Sequence, residues 1–121
     1  MDFKYVLMEV KDSVAYITLN NPQKKNPINI DTGHELRECF DLCDYDDNIR
    51  LVVIRGAGKT FSAGGDINAM KERIDKGIRG TRQVCRVLGE AFIRLRNVKK
   101  PVIACIEGAA AGAGLALALA W

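Results

Sequence analysis

An α/β fold, built on a sheet with helical crossovers, is predicted by three observations. Strand-like and helix-like stretches alternate in the order β-β-α-β-loop-α-β-turn-α. Two short apolar runs, Leu51-Val52-Val53-Ile54 and Pro101-Val102-Ile103-Ala104-Cys105-Ile106, read as strands buried on both faces. From Thr81 to Val98, the residues Val84, Val87, Leu88, Ala91, Phe92, Leu95 and Val98 keep the i, i+3, i+4 spacing of a helix. Arg82, Arg86, Glu90 and Arg94 fall on its opposite face.

The elements follow in order. Tyr5 to Val10 and Val14 to Leu19 are rich in β-branched and aromatic residues, and Lys11-Asp12-Ser13 between them makes a hairpin turn. Asn20 to Asn26, with Pro22, reads as a loop. Thr32-Gly33-His34-Glu35 fits a capping box, with Thr32 as the cap and Glu35 reaching back. Leu36, Phe40 and Cys43 then share one helical face, and Asp44 to Asn48 ends that helix in an acidic turn. The buried run from Leu51 leads through Arg55-Gly56-Ala57-Gly58 into Phe61-Ser62-Ala63-Gly64-Gly65-Asp66. The run from Pro101 leads into a small-residue turn, Gly108 to Gly114, and Leu115 to Trp121 begins another helix.

Composition narrows the function classes. With 121 residues there is room for one modest domain, or for part of a larger one. The 48% hydrophobic and 27% charged residues are those of a globular chain, not a disordered or coiled-coil one. The net charge of +3 is too mild and scattered for nucleic acid, and Lys99-Lys100 reads as a solvated helix end. Aromatic residues, at 7%, provide no base-stacking platform. Cys39, Cys43, Cys85 and Cys105, with the lone His34, lack metal-site spacing and read as buried free thiols of a reduced compartment. No basic-apolar leader opens the chain at Met1-Asp2-Phe3-Lys4, so a cytoplasmic location is expected. The uncharged run Gly108 to Trp121 has 14 residues. A membrane span needs about 20, so its GxxxG pattern is that of a core helix.

Chemistry is concentrated in the two small-residue turns. Each follows a buried strand and launches a helix: Ala63-Gly64-Gly65-Asp66 and Gly112-Ala113-Gly114. Side by side, they would aim two backbone N–H donors at one point, which is the geometry of an oxyanion hole and suits acyl-group chemistry. The same glycines would also permit only tight turns and close helix–sheet packing, and spacing alone favours that plainer reading. A dinucleotide fingerprint fits poorly, because Gly112-Ala113-Gly114-Leu115-Ala116-Leu117 lacks the third glycine, and no phosphate loop is present. A small nucleotide-binding module is therefore the weakest reading.

At these residues the chain resembles the crotonase (enoyl-CoA hydratase/isomerase) superfamily. Asn21-Pro22-Gln23-Lys24-Lys25-Asn26-Pro27 is similar to its N-P-x-x-x-N signature. Val53-Ile54-Arg55-Gly56 through Ile67 resembles its first oxyanion segment, and Lys100-Pro101-Val102-Ile103-Ala104 through Gly114 its second. The resemblance runs over residues 13 to 120 and implies a crotonase-like ββα superhelix of the ClpP/crotonase type. It implies that residues 1–121 are the N-terminal portion of such a domain, truncated about half-way. It further implies an acyl-CoA thioester substrate whose enolate oxyanion is held by the N–H groups of Gly65 and Ala113. Lys25, Pro27, Ala63, Asp66 and Ile67 would line the pocket for coenzyme A. Lys25 could meet a phosphate or be a solvated loop lysine, and Asp66 fits an N-cap better than an acid or base. No metal or separate cofactor is implied, since coenzyme A enters with the substrate.

One position departs from the pattern. Typical hydratases of the family carry a glutamate three residues beyond the second oxyanion amide, where this chain has Ala116. Hydration by two carboxylates loses one of them, which ranks single-base, isomerase-like chemistry slightly above hydration. The family's other carboxylate falls after residue 121. The alternative, from a different class, is a catalytically inactive fragment acting only as a coenzyme A-binding or assembly module. The family's full-length members imply a homotrimeric or hexameric parent. A half-domain with open apolar surface predicts marginal stability or self-association.

Overall fold

The computed structural model describes residues 3–65 and 67–119. Its elements are β1 (Val6–Lys11), β2 (Val14–Leu19), a 3-10 turn (Pro22–Lys24), α1 (Ile30–Tyr45), β3 (Leu51–Gly56), α2 (Ile67–Asn97), β4 (Val102–Cys105) and α3 (Ala113–Leu119). The four strands form one sheet in chain order, β1-β2-β3-β4. β1 and β2 are antiparallel, joined at Asp12 and Ser13, whose positive φ angles of 53° and 66° suit a tight hairpin. β3 and β4 are added in parallel, as helical crossovers require.

Alternation along the strands sets the layers. Ala15, Ile17 and Leu19 of β2 are buried, and the register places Ile17 beside Ile54 and Ala15 beside Val52. These side chains form one core with Leu36, Cys39, Phe40 and Cys43 of α1 and Ala91 and Leu95 of α2. α1 and α2 pack on each other at Gly33, where a Cβ would lie 3.0 Å from Val87 and Leu88. Among the described residues two ion pairs cross between them, Arg37–Glu90 at 2.9 Å and Arg94–Asp41 at 3.1 Å. Both are half-exposed and contribute at most about 1 kcal/mol each. On the other face of the sheet the Arg55 guanidinium lies 4.7 Å from the Tyr16 ring centre, and its Nε donates to Thr18 Oγ1.

Several local expectations change. The cap of α1 is Asn29, whose Oδ1 accepts from the N–H and the hydroxyl of Thr32, so Thr32 is a capped residue and no cap itself. Glu35 accepts from the N–H groups of Tyr5 and Val6, which fastens the start of the first hairpin strand to α1. The second helix begins at Ile67, fourteen residues before Thr81, and breaks at Gly77, where the backbone leaves helical geometry. Lys100 is half-buried: its Nζ donates to the carbonyls of Cys43 and Asp46 at the C-terminal end of α1, a favourable place for a cation. β3 is buried as its apolar run predicts, whereas β4 is an edge strand with Ile103 and Cys105 exposed. Among the described residues no helix is long and apolar enough to cross a membrane.

The cysteines divide into two pairs. Cys85 and Cys105 are exposed, contrary to the expectation for all four, while Cys39 and Cys43 are fully enclosed in the core. Burial pushes the Cys39 thiol up to about 12, helped by Cys43 and Glu35, and the Cys43 thiol up to about 11 against the pull of Lys100. At pH 8, iodoacetamide should modify Cys85 and Cys105 promptly, and Cys39 and Cys43 only on unfolding, as peptide mass mapping would show. The folded state holds these two protons more tightly than the unfolded one. Stability should therefore be flat below the ordinary thiol value of 9.0 and fall as pH rises from there toward about 12. Urea midpoints taken across that range would check this.

Candidate active site

The segments that follow β3 and β4 meet. Ser62 and Ala110 form a parallel bridge in which the Ser62 N–H donates to Ala109 O (3.1 Å) and the Ala111 N–H to Ser62 O (3.0 Å). The loop before α1 joins from another direction. The Ala63 N–H donates to Lys25 O at 2.9 Å, and the Ile28 N–H donates to Gly64 O at 2.7 Å. Residues 61–65 are thus held by residues 25–28 and by residues 109–111.

Asn26 locks this arrangement. It is 1% exposed and takes a left-handed φ of 51°, which asparagine tolerates better than other side chains. Its Oδ1 accepts from the Asn21 N–H, and its Nδ2 donates to Ala57 O (2.9 Å) and Thr60 O (2.8 Å). Its backbone carbonyl accepts the Ser62 hydroxyl at 2.7 Å, and that oxygen in turn accepts the Gly64 N–H at 3.1 Å. Asn26 and Ser62 both lie within motifs of the sequence, but the motifs do not state these hydrogen bonds. The available signal was a left-handed-tolerant residue immediately before Pro27.

Two glycines let the turns touch. Gly64 has φ of 101°, and a Cβ there would stand 2.8 Å from Ala111 O and 3.5 Å from Ala113 N. At Gly114 a Cβ would lie 2.6 Å from both the Cβ and the carbonyl oxygen of Ser62. No side chain fits between the first turn and the start of α3. Ala113 is the first residue of α3, so its N–H has no carbonyl one helical turn back. The bridge at Gly65 is made through the neighbouring carbonyl of Gly64, which leaves the Gly65 N–H outside that pairing. Among the described residues neither of these two N–H groups has a hydrogen-bond acceptor.

The other expected site residues are distributed unevenly. Lys25 and Ala63 are exposed neighbours, and Lys25 itself is left-handed at φ 63°. Pro27 is buried between Asn26 and Ile28. Ile67 opens α2, and Asp66 with its N-cap reading lies outside the described residues. Ala116 is exposed on α3. A groove of about 360 Å³ lined by His34, Arg37, Gln83, Arg86, Val87 and Glu90 lies between α1 and α2 and shares no residue with the turns. Glu90 already pairs with both of its guanidiniums. Among the described residues no three metal-ligating side chains are grouped.

The structure is thus a parallel-rich α/β layer whose two glycine turns meet backbone to backbone. Comparison with known proteins gives the family. Residues 9–121 match the family model for enoyl-CoA hydratase/isomerase, and the chain belongs to that family. It is 33% identical over 121 residues to a trans-2-decenoyl-[acyl-carrier-protein] isomerase of Streptococcus mutans, covering 99% of this chain and 46% of that protein. To a 1,2-epoxyphenylacetyl-CoA isomerase of Escherichia coli it is 35% identical over 123 residues, covering 96% of this chain and 45% of that one. The crystal structure of an enoyl-CoA hydratase from Polaromonas superposes with a TM-score of 0.91 at 32% identity, covering 95% of this chain and 45% of that one. The fold is thus the crotonase fold that the resemblance implied. The chain spans about half the length of the relatives it matches.

Replacing Asn26 by Asp keeps the acceptor but loses both donors and sets a carboxylate against two carbonyls. A loss of about 2–4 kcal/mol is expected, read from denaturant midpoints. Gly64→Ala should destabilise comparably, because it adds both a left-handed strain and a contact with Ala111 O.

Proposed function

We propose that this chain contributes the oxyanion-stabilising part of an acyl-CoA enzyme, with the N–H groups of Gly65 and Ala113 receiving the thioester carbonyl oxygen. The observation that carries this reading is the contact of Gly64 with residues 111–113, which brings two main-chain donors with no acceptor among the described residues into one small region. Removing an α-proton from a thioester moves negative charge onto that oxygen. Two fixed N–H donors lower the energy of the resulting enolate without reorganising, and each is worth about 2.7–4 kcal/mol of barrier. Lys25 and Ala63, exposed beside the first turn, would meet the coenzyme A portion. Coenzyme A comes with the substrate, and no other cofactor is needed for this chemistry.

Isomerisation is preferred over hydration. Water addition calls for a second carboxylate, and Ala116 provides only a methyl group at the position where the hydratase pattern has one. Moving a double bond needs one base that takes a proton and returns it elsewhere. A second reading, thioester binding without turnover, is favoured by that same Ala116.

Calorimetric titration of the chain with acetoacetyl-CoA, an enolisable thioester, tests the site. Saturable binding is expected. It should weaken about ten- to hundredfold in Gly65→Pro and in Ala113→Pro, since each replacement deletes one N–H donor. Proline is well tolerated at the first position of a helix, so Ala113→Pro isolates the donor from the fold. Binding unchanged in both variants, with unaltered circular dichroism, would sink the assignment. Binding of a trans-2-enoyl-CoA without any double-bond shift by a protein of the relatives' full length, which includes the segment expected to carry the base, would select the second reading.

A further inference from the structure

The peptide unit between Gly64 and Gly65 has a glycine at each end. No Cβ opposes its rotation, and a half-turn would send the Gly65 N–H to the opposite side of the chain. A trans peptide points its C=O and N–H in opposite directions, so fixing the Gly64 carbonyl fixes the Gly65 N–H. The Ile28 N–H holds that carbonyl at 2.7 Å. The preceding unit is held by its own N–H, which donates to Ser62 Oγ at 3.1 Å. Both planes that meet at Gly64 are therefore pinned, and the φ of 101° between them is imposed by these partners.

Ser62 is itself firmly placed. It is fully buried, its N–H donates to Ala109 O, and its carbonyl accepts from the Ala111 N–H. A hydroxyl has one proton, and Ser62 gives it to Asn26 O at 2.7 Å, which leaves only lone pairs for the Gly64 N–H. We propose that Ser62 is a positioning residue for the first oxyanion donor, its hydroxyl holding the Gly64 turn so that the Gly65 N–H stays aimed at the enolate oxygen. This rests on the role proposed above for the Gly65 N–H. Ser62 acts on the transition state more than on binding, because hydrogen bonds to an ionised acceptor are about twice as strong as neutral ones. A misdirected N–H thus loses little against a neutral thioester and much against its enolate.

Acetoacetyl-CoA separates the two effects, since it ionises to an enolate with its own near-ultraviolet band. Donors aimed at its oxygen lower the pH at which the bound ligand ionises. In Ser62→Ala that pH is expected to rise by about one unit, a tenfold loss of enolate affinity. Coenzyme A itself, which has no acyl oxygen, should bind the variant as it binds the wild type, whereas a merely structural role would weaken both ligands together. Ser62→Cys fills the space and keeps a weaker donor and acceptor, so it should fall between the two, and it is the variant to read if alanine costs the fold. Gly65→Pro distinguishes the two claims. If it raises the ionisation pH while Ser62→Ala does not, the oxyanion reading stands and the role of Ser62 falls. Equal losses for acetoacetyl-CoA and coenzyme A in Ser62→Ala also overturn that role. An ionisation pH unmoved by Gly65→Pro, or no binding of acetoacetyl-CoA to the wild type, removes the oxyanion reading and this inference with it.

Discussion

Asn26 carries a polar side chain into a place with almost no solvent, and a buried amide is tolerated only if its donors and acceptor are all engaged. Its partners come from the segment before it and from the segment after β3. They can be satisfied together in only one placement of the chain. Through its own carbonyl it also fixes Ser62, and through Ser62 the start of the Gly64 turn. An apolar residue here would permit many neighbouring packings, whereas the amide permits one. The precise approach of the two glycine turns depends on that restriction.

Much of the architecture was legible because it rests on local pattern. The hairpin, α1 and the central strand follow from β-branched runs, helical spacing and an unbroken apolar stretch. What failed did so for identifiable reasons. Thr32 and Glu35 have capping-box spacing, but Asn29 three residues earlier is an equally good cap, and Glu35 found better donors in the first strand. β4 has the sequence of a buried strand, yet burial depends on what lies on both sides of it, which strand composition does not encode. The beginning of α2 was hidden by Gly77 and Gly80, although Ile67, Met70 and Ile74 carry helical spacing.

The candidate site was legible in a different way. Each glycine turn could be found from the strand before it and the helix after it, but their meeting is a contact between residues nearly fifty positions apart, which no local pattern states. Family resemblance provided that link, and the distances at Gly64 and Gly114 give it a physical basis. Ser62 illustrates the remainder. It is a plain serine in a small-residue stretch, and its relay of order from one loop to the next exists only in the folded chain.

The sheet grows in the order in which its strands occur in the chain, with an antiparallel hairpin first and two parallel additions after it. A hairpin closes a short loop, whereas each parallel addition must wait for a whole crossover helix to be laid down, at a larger entropy of closure. The hairpin can therefore act as a template on which β3 and then β4 dock. The two glycine turns lie beyond the last two strands, so they are brought together only after both long loops have closed. Slow, late assembly is thus built into the part of the molecule where the chemistry would occur, and chains arrested early would have a hairpin and a helix but no meeting of the turns.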